Sequence, residues 1–461
     1  MKKIIKHKIN AIFFIGLILS LTINVFTIKQ FDRMEISSDK NDNHMMIKGA
    51  VNYAYGNAHN LIKNLKTGNN FFKSDNELLG SYLPPKILAA YYYLTSKEMY
   101  KMDVDNEEMI PISNNGKLLY LNLQSILYYF CLFIFYKKIR IPEKENIINF
   151  IIIFLALEPT IMFYHASFWQ ESIGLSIQLL FFAFLLNGSK HIFKFIFCGS
   201  IYGLLVLQEG AFLYYIILIL VFFIFKYRKK SLKLFICFFI GYLPIISFVT
   251  FHNYKRSNVA YFAPTESKQV LFKYFVPNIM KANENQSHNE IVKKMDSLNK
   301  NWIIENNLDI KIEKDRIKLY YLQNRFAINY ILNNSFDSIF YSIKQSFHML
   351  VINPFEPYYF HKYEWRGKKR FYKSEDHNRL IPVRIAYTFV IYLICFFGLI
   401  NSLKKKIFKL NFLFSISIIY FVILLGWMGT PRYFLPCLIF VSYYFGNGIN
   451  YFKNKLDYFK K

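Results

Sequence analysis

The sequence predicts an all-α polytopic membrane protein with about ten transmembrane helices, each long enough to cross a bilayer. Three observations predict this fold class. Hydrophobic residues make up 54% of the 461 residues, they form uninterrupted blocks of roughly 18 to 22 residues, and short basic clusters separate the blocks. This composition excludes a soluble globular enzyme, a collagen, a coiled coil, a disordered chain and a disulfide scaffold.

The first apolar block, Ile9 to Ile28, follows a lysine-rich N-terminus and has no small-residue cleavage site behind it. It predicts an uncleaved signal anchor, with a cleaved signal peptide as the alternative. The other predicted spans are Leu118 to Tyr136, Ile147 to Tyr164, Trp169 to Leu186, Ile192 to Leu207, Ala211 to Phe225, Leu232 to Phe251, Ile381 to Ile400, Asn411 to Trp427 and Tyr433 to Ile449.

The formal net charge of +27 does not indicate nucleic-acid binding, because the basic residues cluster in short loops between spans, where they set topology. With the N-terminus in the cytoplasm, every short basic loop and the lysine-rich C-terminus fall on the cytoplasmic side. These clusters are Lys137, Lys138 and Arg140; Lys190 and Lys194; Lys226 and Arg228 to Lys230; Lys404 to Lys406; and Lys453 to Lys461.

Two long hydrophilic segments then face outward. The predicted division is a transmembrane module in 1–251 that includes a first outer loop at 29–117, a mainly helical outer segment at 252–380, and C-terminal transmembrane helices in 381–461. The stretch Ile303 to Phe355 has helical spacing, and one face of that helix is expected either to lie on the outer leaflet or to pack on the membrane domain.

No cofactor or metal is predicted. The sequence has no G-x-G-x-x-G after a strand, no G-x-x-x-x-G-K-[ST] and no H-E-x-x-H, so nucleotide and zinc chemistry are unsupported. An activated substrate is therefore expected to arrive through the lipid. The five cysteines lie far apart inside apolar blocks without C-x-x-C spacing and are interpreted as small hydrophobic residues: Cys131, Cys198, Cys237, Cys395 and Cys437.

The first outer loop opens with acidic residues, of which Asp39 and Asp42 are candidate catalytic groups. The alternative for Asp42 is a solvated carboxylate near a helix N-terminus. Further along the loop, Tyr82-Leu83-Pro84-Pro85-Lys86 predicts the start of a short interfacial helix. Lys86 either has only that structural role or presents its ammonium to a lipid phosphate.

Ionisable residues also fall at the outer ends of the predicted spans, where burial is costly and functional roles are common. Glu158, His165 and Glu171 lie at the boundary of the third and fourth spans, and Gln208-Glu209 is interpreted as a simple outer turn. In the last outer turn, the Arg432 guanidinium offers a bidentate fork to a phosphate, with snorkelling to lipid headgroups as the alternative.

Short strings in this order resemble the GT-C membrane glycosyltransferases, in particular the bacterial relatives of the protein O-mannosyltransferases and the aminoarabinose lipid A transferases. The resemblance covers most of the chain in short pieces, and the sequence departs from the family pattern at Met46 and His252. The matching residues are Asp42, Ala50, Asn52 and Gly56 for D-x7-A-x-N-x3-G; Tyr82, Pro84 and Pro85 for Y-x-P-P; Pro159 and Glu171; Asn253-Tyr254; and Arg432, Tyr433 and Pro436 for R-Y-x-x-P.

The resemblance implies a GT-C-like fold in the bacterial cytoplasmic membrane and transfer of a sugar from a polyprenyl phosphate to a lipid, glycan or protein acceptor outside, with inversion. It implies an Asp general base, with Asp42 ahead of Asp39 as the candidate. Candidate donor-phosphate ligands are Arg432, Lys86 and Arg256, and candidate orienting residues are Glu171, Tyr82 and Tyr433.

Two other functions stay open at this point. A polysaccharide polymerase that uses diphospholipid-linked repeat units also needs many spans and a large outer loop. A transporter or lipid-linked oligosaccharide flippase typically shows paired halves with short loops, which this sequence lacks.

Overall fold

The computed structural model is a bundle of long helices with a smaller helical segment at one end. Its described residues are 2–31, 83–95, 100–103, 108–111, 114–140, 145–167, 170–189, 191–262, 270–283, 287–310, 312–351, 374–404, 408–428 and 431–459.

The bundle helices follow the apolar blocks of the sequence. They are α1 (Lys2–Phe31), α3 (Asn114–Ile139), α4 (Glu145–Leu157), α5 (Pro159–His165), α6 (Gln170–Leu186), α7 (Ile192–Gln208), α8 (Ile216–Tyr227), α9 (Ser231–Ser257), α14 (Ser374–Lys404), α15 (Phe408–Leu425) and α16 (Leu438–Phe459).

The remaining helices lie in the hydrophilic segments or in short turns. They are α2 (Leu83–Thr95), α10 (Val276–Asn283), α11 (His288–Glu305), α12 (Glu313–Asn333), α13 (Ser335–Leu350), a π-turn (Leu271–Phe275) and the 3₁₀ segments Gly210–Tyr215, Arg228–Lys230, Gly426–Met428 and Pro431–Cys437.

Within the described residues, 5 helical stretches are long and apolar enough to cross a membrane, or 6 if α4 and α5, which meet at 44°, form one broken span. The helices α6 and α7 are apolar but shorter. The prediction of a helical membrane protein is therefore confirmed. The five stretches are Ile9–Ile28, Asn115–Ile139, Gly210–Lys255, Pro382–Leu403 and Leu410–Met428.

The stretch Gly210–Lys255 reverses direction in its middle. Arg228 has a left-handed φ of 48° between α8 and α9. The rings of Phe223 and Phe238 lie 6.0 Å apart, although a straight helix would separate them by about 22 Å. The stretch is thus an antiparallel pair, and the basic residues Arg228–Lys230 form its turn.

Contacts between bundle helices fix their relative directions. The helices α3 and α4–α5 are antiparallel, since Tyr128 Oη donates to the carbonyl of Leu155 and Gln124 Nε2 donates to that of Ser167. In α7 and α9, by contrast, Gly199 lies against Phe238 and Gly203 against Ile245, so these helices are parallel. The starts of α3 and α6 and the ends of α5, α7 and α9 therefore lie together, at what we term the polar end.

Glycine allows α7 and α9 to approach closely. A Cβ on Gly241 would lie 1.8 Å from the carbonyl oxygen of Ile196, and one on Gly199 would lie 1.9 Å from that of Phe238. Small residues at helix interfaces are typical of membrane bundles, where van der Waals packing drives association.

The described residues of the segment 252–380 have a small core of their own. Phe272, Trp302 and Phe326 form ring contacts with centroids 5.5 to 5.8 Å apart. The helical stretch predicted from Ile303 to Phe355 is broken within its described part, which ends at residue 351. Asn307, with a φ of 49°, follows α11, and Asn334 separates α12 from α13.

A β-hairpin departs from the all-α prediction. The strands β1 (Tyr100–Asp103) and β2 (Glu108–Pro111) pair antiparallel, with Lys101 opposite Ile110. The sequence between them contains Asp105 and Asn106, which are residue types that favour turns.

We expect Gly241→Ala to destabilise the bundle by about 1–3 kcal/mol, because its Cβ must separate two helices that touch through backbone atoms. Thermal unfolding in detergent measures the effect. Gly188→Ala is the matched control, since no atom lies within 4 Å of the Cβ built there. Equal melting temperatures for the two variants would contradict the close approach of α7 and α9.

Candidate functional site at the polar end

Ionisable and amide side chains are buried at the polar end of an otherwise apolar bundle. Glu158, His165, Glu171, Gln208 and Glu209 are each at most 5% exposed. Burying such groups is unfavourable unless they are hydrogen-bonded or paired, so each position has a structural or functional reason.

Glu158 stabilises the break between α4 and α5. Its carboxylate accepts hydrogen bonds from the amide of Ile161 at 2.9 Å, from Thr160 Oγ1 at 2.9 Å and from Tyr387 Oη of α14 at 2.8 Å. Pro159 occupies the first turn of α5, where its missing N–H is not needed. Glu158 is therefore a capping residue that also ties α14 to the broken span.

His165 is the last residue of α5, and its ring nitrogen Nε2 is buried. Its Nδ1 lies 2.5 Å from the carbonyl oxygen of Ile161, which makes Nδ1 the donor, and its ring contacts Tyr128 with centroids 4.5 Å apart. The buried Nε2 has no hydrogen-bond partner within the described part of the chain. In the neutral tautomer that Nε2 is an acceptor, so it offers a lone pair inside the polar end.

Glu171 and Glu209 come from neighbouring helix ends. Glu171 lies in the first turn of α6, and Gly174 and Gln178 share its helical face at i+3 and i+7. A Cβ on Gly174 would lie 3.0 Å from Glu209 Oε2, so the glycine makes room for that carboxylate. The adjacent Gln208 donates from Nε2 to the carbonyl of Gln170 at 2.9 Å, which joins the end of α7 to the start of α6.

The 3₁₀ segment Pro431–Cys437 packs against α6 beside these acids. Gln178 Nε2 donates to the carbonyl of Pro436 at 2.8 Å, and the Glu209 carboxylate is close enough to Cys437 to interact electrostatically. The predicted ligand Arg432 and its neighbour Tyr433 belong to this segment, so the structure brings their part of the chain to the buried acids.

The segment and α6 run in the same direction. Pro436 lies beside Gln178, and four residues further along both chains Phe440 contacts Phe182 with centroids 5.2 Å apart. Arg432 lies four residues before Pro436, which corresponds to about 8 Å along a 3₁₀ helix. Glu171 lies seven residues before Gln178, which corresponds to about 10 Å along an α-helix. The backbone at Arg432 and Glu171 is thus at a similar height in the bundle.

Lys86 lies in α2, which contacts the polar end through Tyr91. Tyr91 Oη of the same helix donates to the carbonyl of Gly116 at 2.7 Å, and α2 also contacts α7. Next to Gly116, Lys117 is 0% exposed in the first turn of α3. Lys117 was predicted only as the end of the first outer loop, although its position directly before an apolar block was a visible signal.

The other predicted site residues are dispersed or lie beyond the described ranges. Asp39, Asp42 and Tyr82 lie outside the described residues. Arg256 lies in the last turn of α9, where Asn253 Nδ2 donates to the carbonyl of Tyr261 at 2.8 Å and folds the chain back. In the described ranges, no group of three His, Cys, Asp or Glu is arranged to hold a metal ion.

The structure also revises the interpretation of Gln208-Glu209 as a simple turn. Both side chains are buried, because α7 and α6 meet at that point and Gly174 leaves a space there. Gln178 was not among the residues predicted to belong to the site, although an amide in the middle of an apolar helix was a visible signal.

Searches against protein families, curated proteins and solved structures found no match for this chain.

We expect Tyr387→Phe to lower the free energy of unfolding by about 1–3 kcal/mol, because the buried Glu158 carboxylate loses one of its donors. Thermal unfolding in detergent measures the change. Tyr214→Phe, at a tyrosine that is 60% exposed, controls for removal of a phenolic hydroxyl. If Tyr387→Phe melts like wild type, the tie between α14 and the broken span is not a stabilising contact.

Proposed function

We propose that this chain is an integral membrane glycosyltransferase of the bacterial cytoplasmic membrane. It moves a sugar from a polyprenyl-phosphate donor to an acceptor on the outer face, with inversion at the anomeric carbon. The observation that carries the proposal is the convergence at the polar end. The acids of α6 and α7 meet there with the segment of Arg432, at one end of an apolar bundle.

The proposed topology has ten spans, with α4 and α5 as one broken span and both termini in the cytoplasm. Basic residues support this orientation, since Lys138, Lys194 and Lys226 lie at the bundle end opposite the polar end. The polar end then faces outward, where a lipid-linked donor presents its sugar. A GT-C-like fold is part of the same proposal.

In the proposed reaction the acceptor hydroxyl oxygen forms a bond to the anomeric carbon as the bond from that carbon to the phosphate oxygen breaks. The acceptor proton passes to the carboxylate of Asp42, with Asp39 as the second candidate. The electron pair of the broken bond stays on the polyprenyl phosphate, which leaves. Cations stabilise this developing charge, and Arg432, Lys86 and Arg256 are the proposed ligands.

Glu171 is proposed to orient the site rather than to accept the proton. Its height in the bundle, close to that of Arg432, suits a carboxylate that holds a guanidinium or a sugar hydroxyl in place. Tyr82 and Tyr433 are proposed to contact the donor. Glu209 is proposed as a further orienting residue, because its carboxylate lies against Gly174, one helical turn from Glu171.

Asp42→Asn should abolish most of the transfer, because an amide cannot accept the proton of the acceptor hydroxyl; losses of about 10²-fold or more are expected for a general base. Membranes with wild type or variant are supplied with a panel of radiolabelled polyprenyl-phosphate sugars, and label transfer and carrier release are followed. Asp296→Asn makes the same chemical change at an exposed carboxylate of α11 and should leave transfer unchanged.

Equal transfer by Asp42→Asn and wild type would remove Asp42 as the base. No transfer by wild type across the donor panel would contradict the proposed reaction. A ladder of products would indicate a polymerase, whereas movement of an intact lipid-linked oligosaccharide without a new glycosidic bond would indicate a flippase.

The topology is tested by labelling intact cells with a membrane-impermeant maleimide. Asp42→Cys should react from outside, whereas Lys229→Cys, in the turn between α8 and α9, should react only after permeabilisation. The wild-type chain gives the background, since four native cysteines are buried and Cys395 is partly buried. The reverse labelling pattern would place the polar end in the cytoplasm and exclude the proposed donor.

A further inference from the structure

The helix α13 exposes a continuous apolar stripe. Five large side chains recur at i, i+3, i+4, i+7 and i+11, the spacing of one helical face, and the two most exposed reach 80% and 67%. They are Phe336, Ile339, Phe340, Ile343 and Phe347.

The opposite face of α13, which packs on the protein, is largely polar. Ser338 is buried, and Ser346 lies so close to Gly426 that a Cβ there would fall 2.1 Å from Ser346 Oγ. Tyr341 contacts the ring of Phe275. A soluble protein would show the reverse arrangement, with the apolar stripe inside.

The C-terminal turn of α13 reaches down along the bundle. The carbonyl of Leu350 accepts a hydrogen bond from Tyr392 Oη of α14 at 2.5 Å. Tyr392 lies about 15 Å along the helix from Pro382, the start of that candidate span. Met349 is fully buried in the core shared by the bundle helices. The helix therefore does not simply rest on top of the bundle.

The apolar stripe is continuous with the exposed surface of the candidate spans. α13 packs against α15 and against the turn Gly426–Met428 at its end. Both α15 and α14 expose large apolar side chains there, including Ile423 at 74% and Phe389 at 64%. A surface of this kind on a span faces acyl chains.

We propose that α13 is a membrane-inserted half-helix whose apolar stripe is covered by acyl chains of the outer leaflet, with Phe347 deeper than Phe336. The exposed Lys344 lies beside the stripe and extends its ammonium toward lipid phosphates. This inference depends on the membrane topology and not on the proposed sugar transfer, so either can fail without the other.

Spin labels at single cysteines test the inference in the full-length chain. Phe336→Cys, Phe340→Cys and Phe347→Cys are reconstituted in vesicles of phosphatidylethanolamine and phosphatidylglycerol, and collision with oxygen is compared with collision with a water-soluble nickel chelate. Phe389→Cys on α14 is the reference for a lipid-facing site, and Lys300→Cys on α11 is the reference for water. Labelled wild type gives the background from native cysteines.

We expect the oxygen-to-nickel ratios at Phe340→Cys and Phe347→Cys to be high, as at Phe389→Cys and unlike Lys300→Cys, and we expect the ratio to rise from Phe336→Cys to Phe347→Cys. High nickel accessibility at both positions would show a stripe in water and overturn the proposal. Low accessibility to both reagents with label-to-label dipolar broadening would show a second copy of the chain on the stripe, which also overturns it. Equal depths for Phe336→Cys and Phe347→Cys would exclude insertion. Variants are compared only when their melting temperatures match that of wild type.

Discussion

Every polar group inside an apolar bundle must find its partner within the protein, because neither acyl chains nor apolar side chains offer hydrogen bonds. Glu158 shows how strongly this constraint acts. One carboxylate accepts from a buried amide in the first turn of α5 that has no intrahelical partner, fixes the break in the span and holds α14 through Tyr387. The position of the neighbouring His165 and of the start of α6 follows from that break.

The same constraint bears on the buried carboxylates: within the described residues, Glu158, Glu171 and Glu209 all lie at the polar end, where helices meet. The middle of the bundle is filled by aromatic side chains and by close glycine contacts between α7 and α9. Buried amide side chains also occur inside helices, and they bond to backbone carbonyls of other segments. Gln124, Gln178 and Gln208 each donate to such a carbonyl.

The apolar helices and the amphipathic face of α13 could be predicted from the sequence, because both depend on local hydrophobic periodicity. The burial of Glu209 could not, since it depends on the space at Gly174 of another helix. The height of Arg432 near Glu171 follows from the parallel course of two distant segments, which no local pattern records. The turn at Arg228 agrees with the basic loop predicted between two apolar blocks. The break at Asn307 was missed, because the helical spacing from Ile303 onward was taken as one helix although Asn is a residue type that favours turns.

The bond between Gln178 and Pro436 joins residues 258 positions apart. Membrane chains are synthesised from the N-terminus, and their domains fold as they emerge. The Gln178 amide of α6 therefore cannot bond to the Pro436 carbonyl until almost the whole chain has left the ribosome. Assembly of the polar end is thus a late event in biogenesis, and a chain that ends before Pro431 carries Glu171 and Glu209 without the segment that packs beside them.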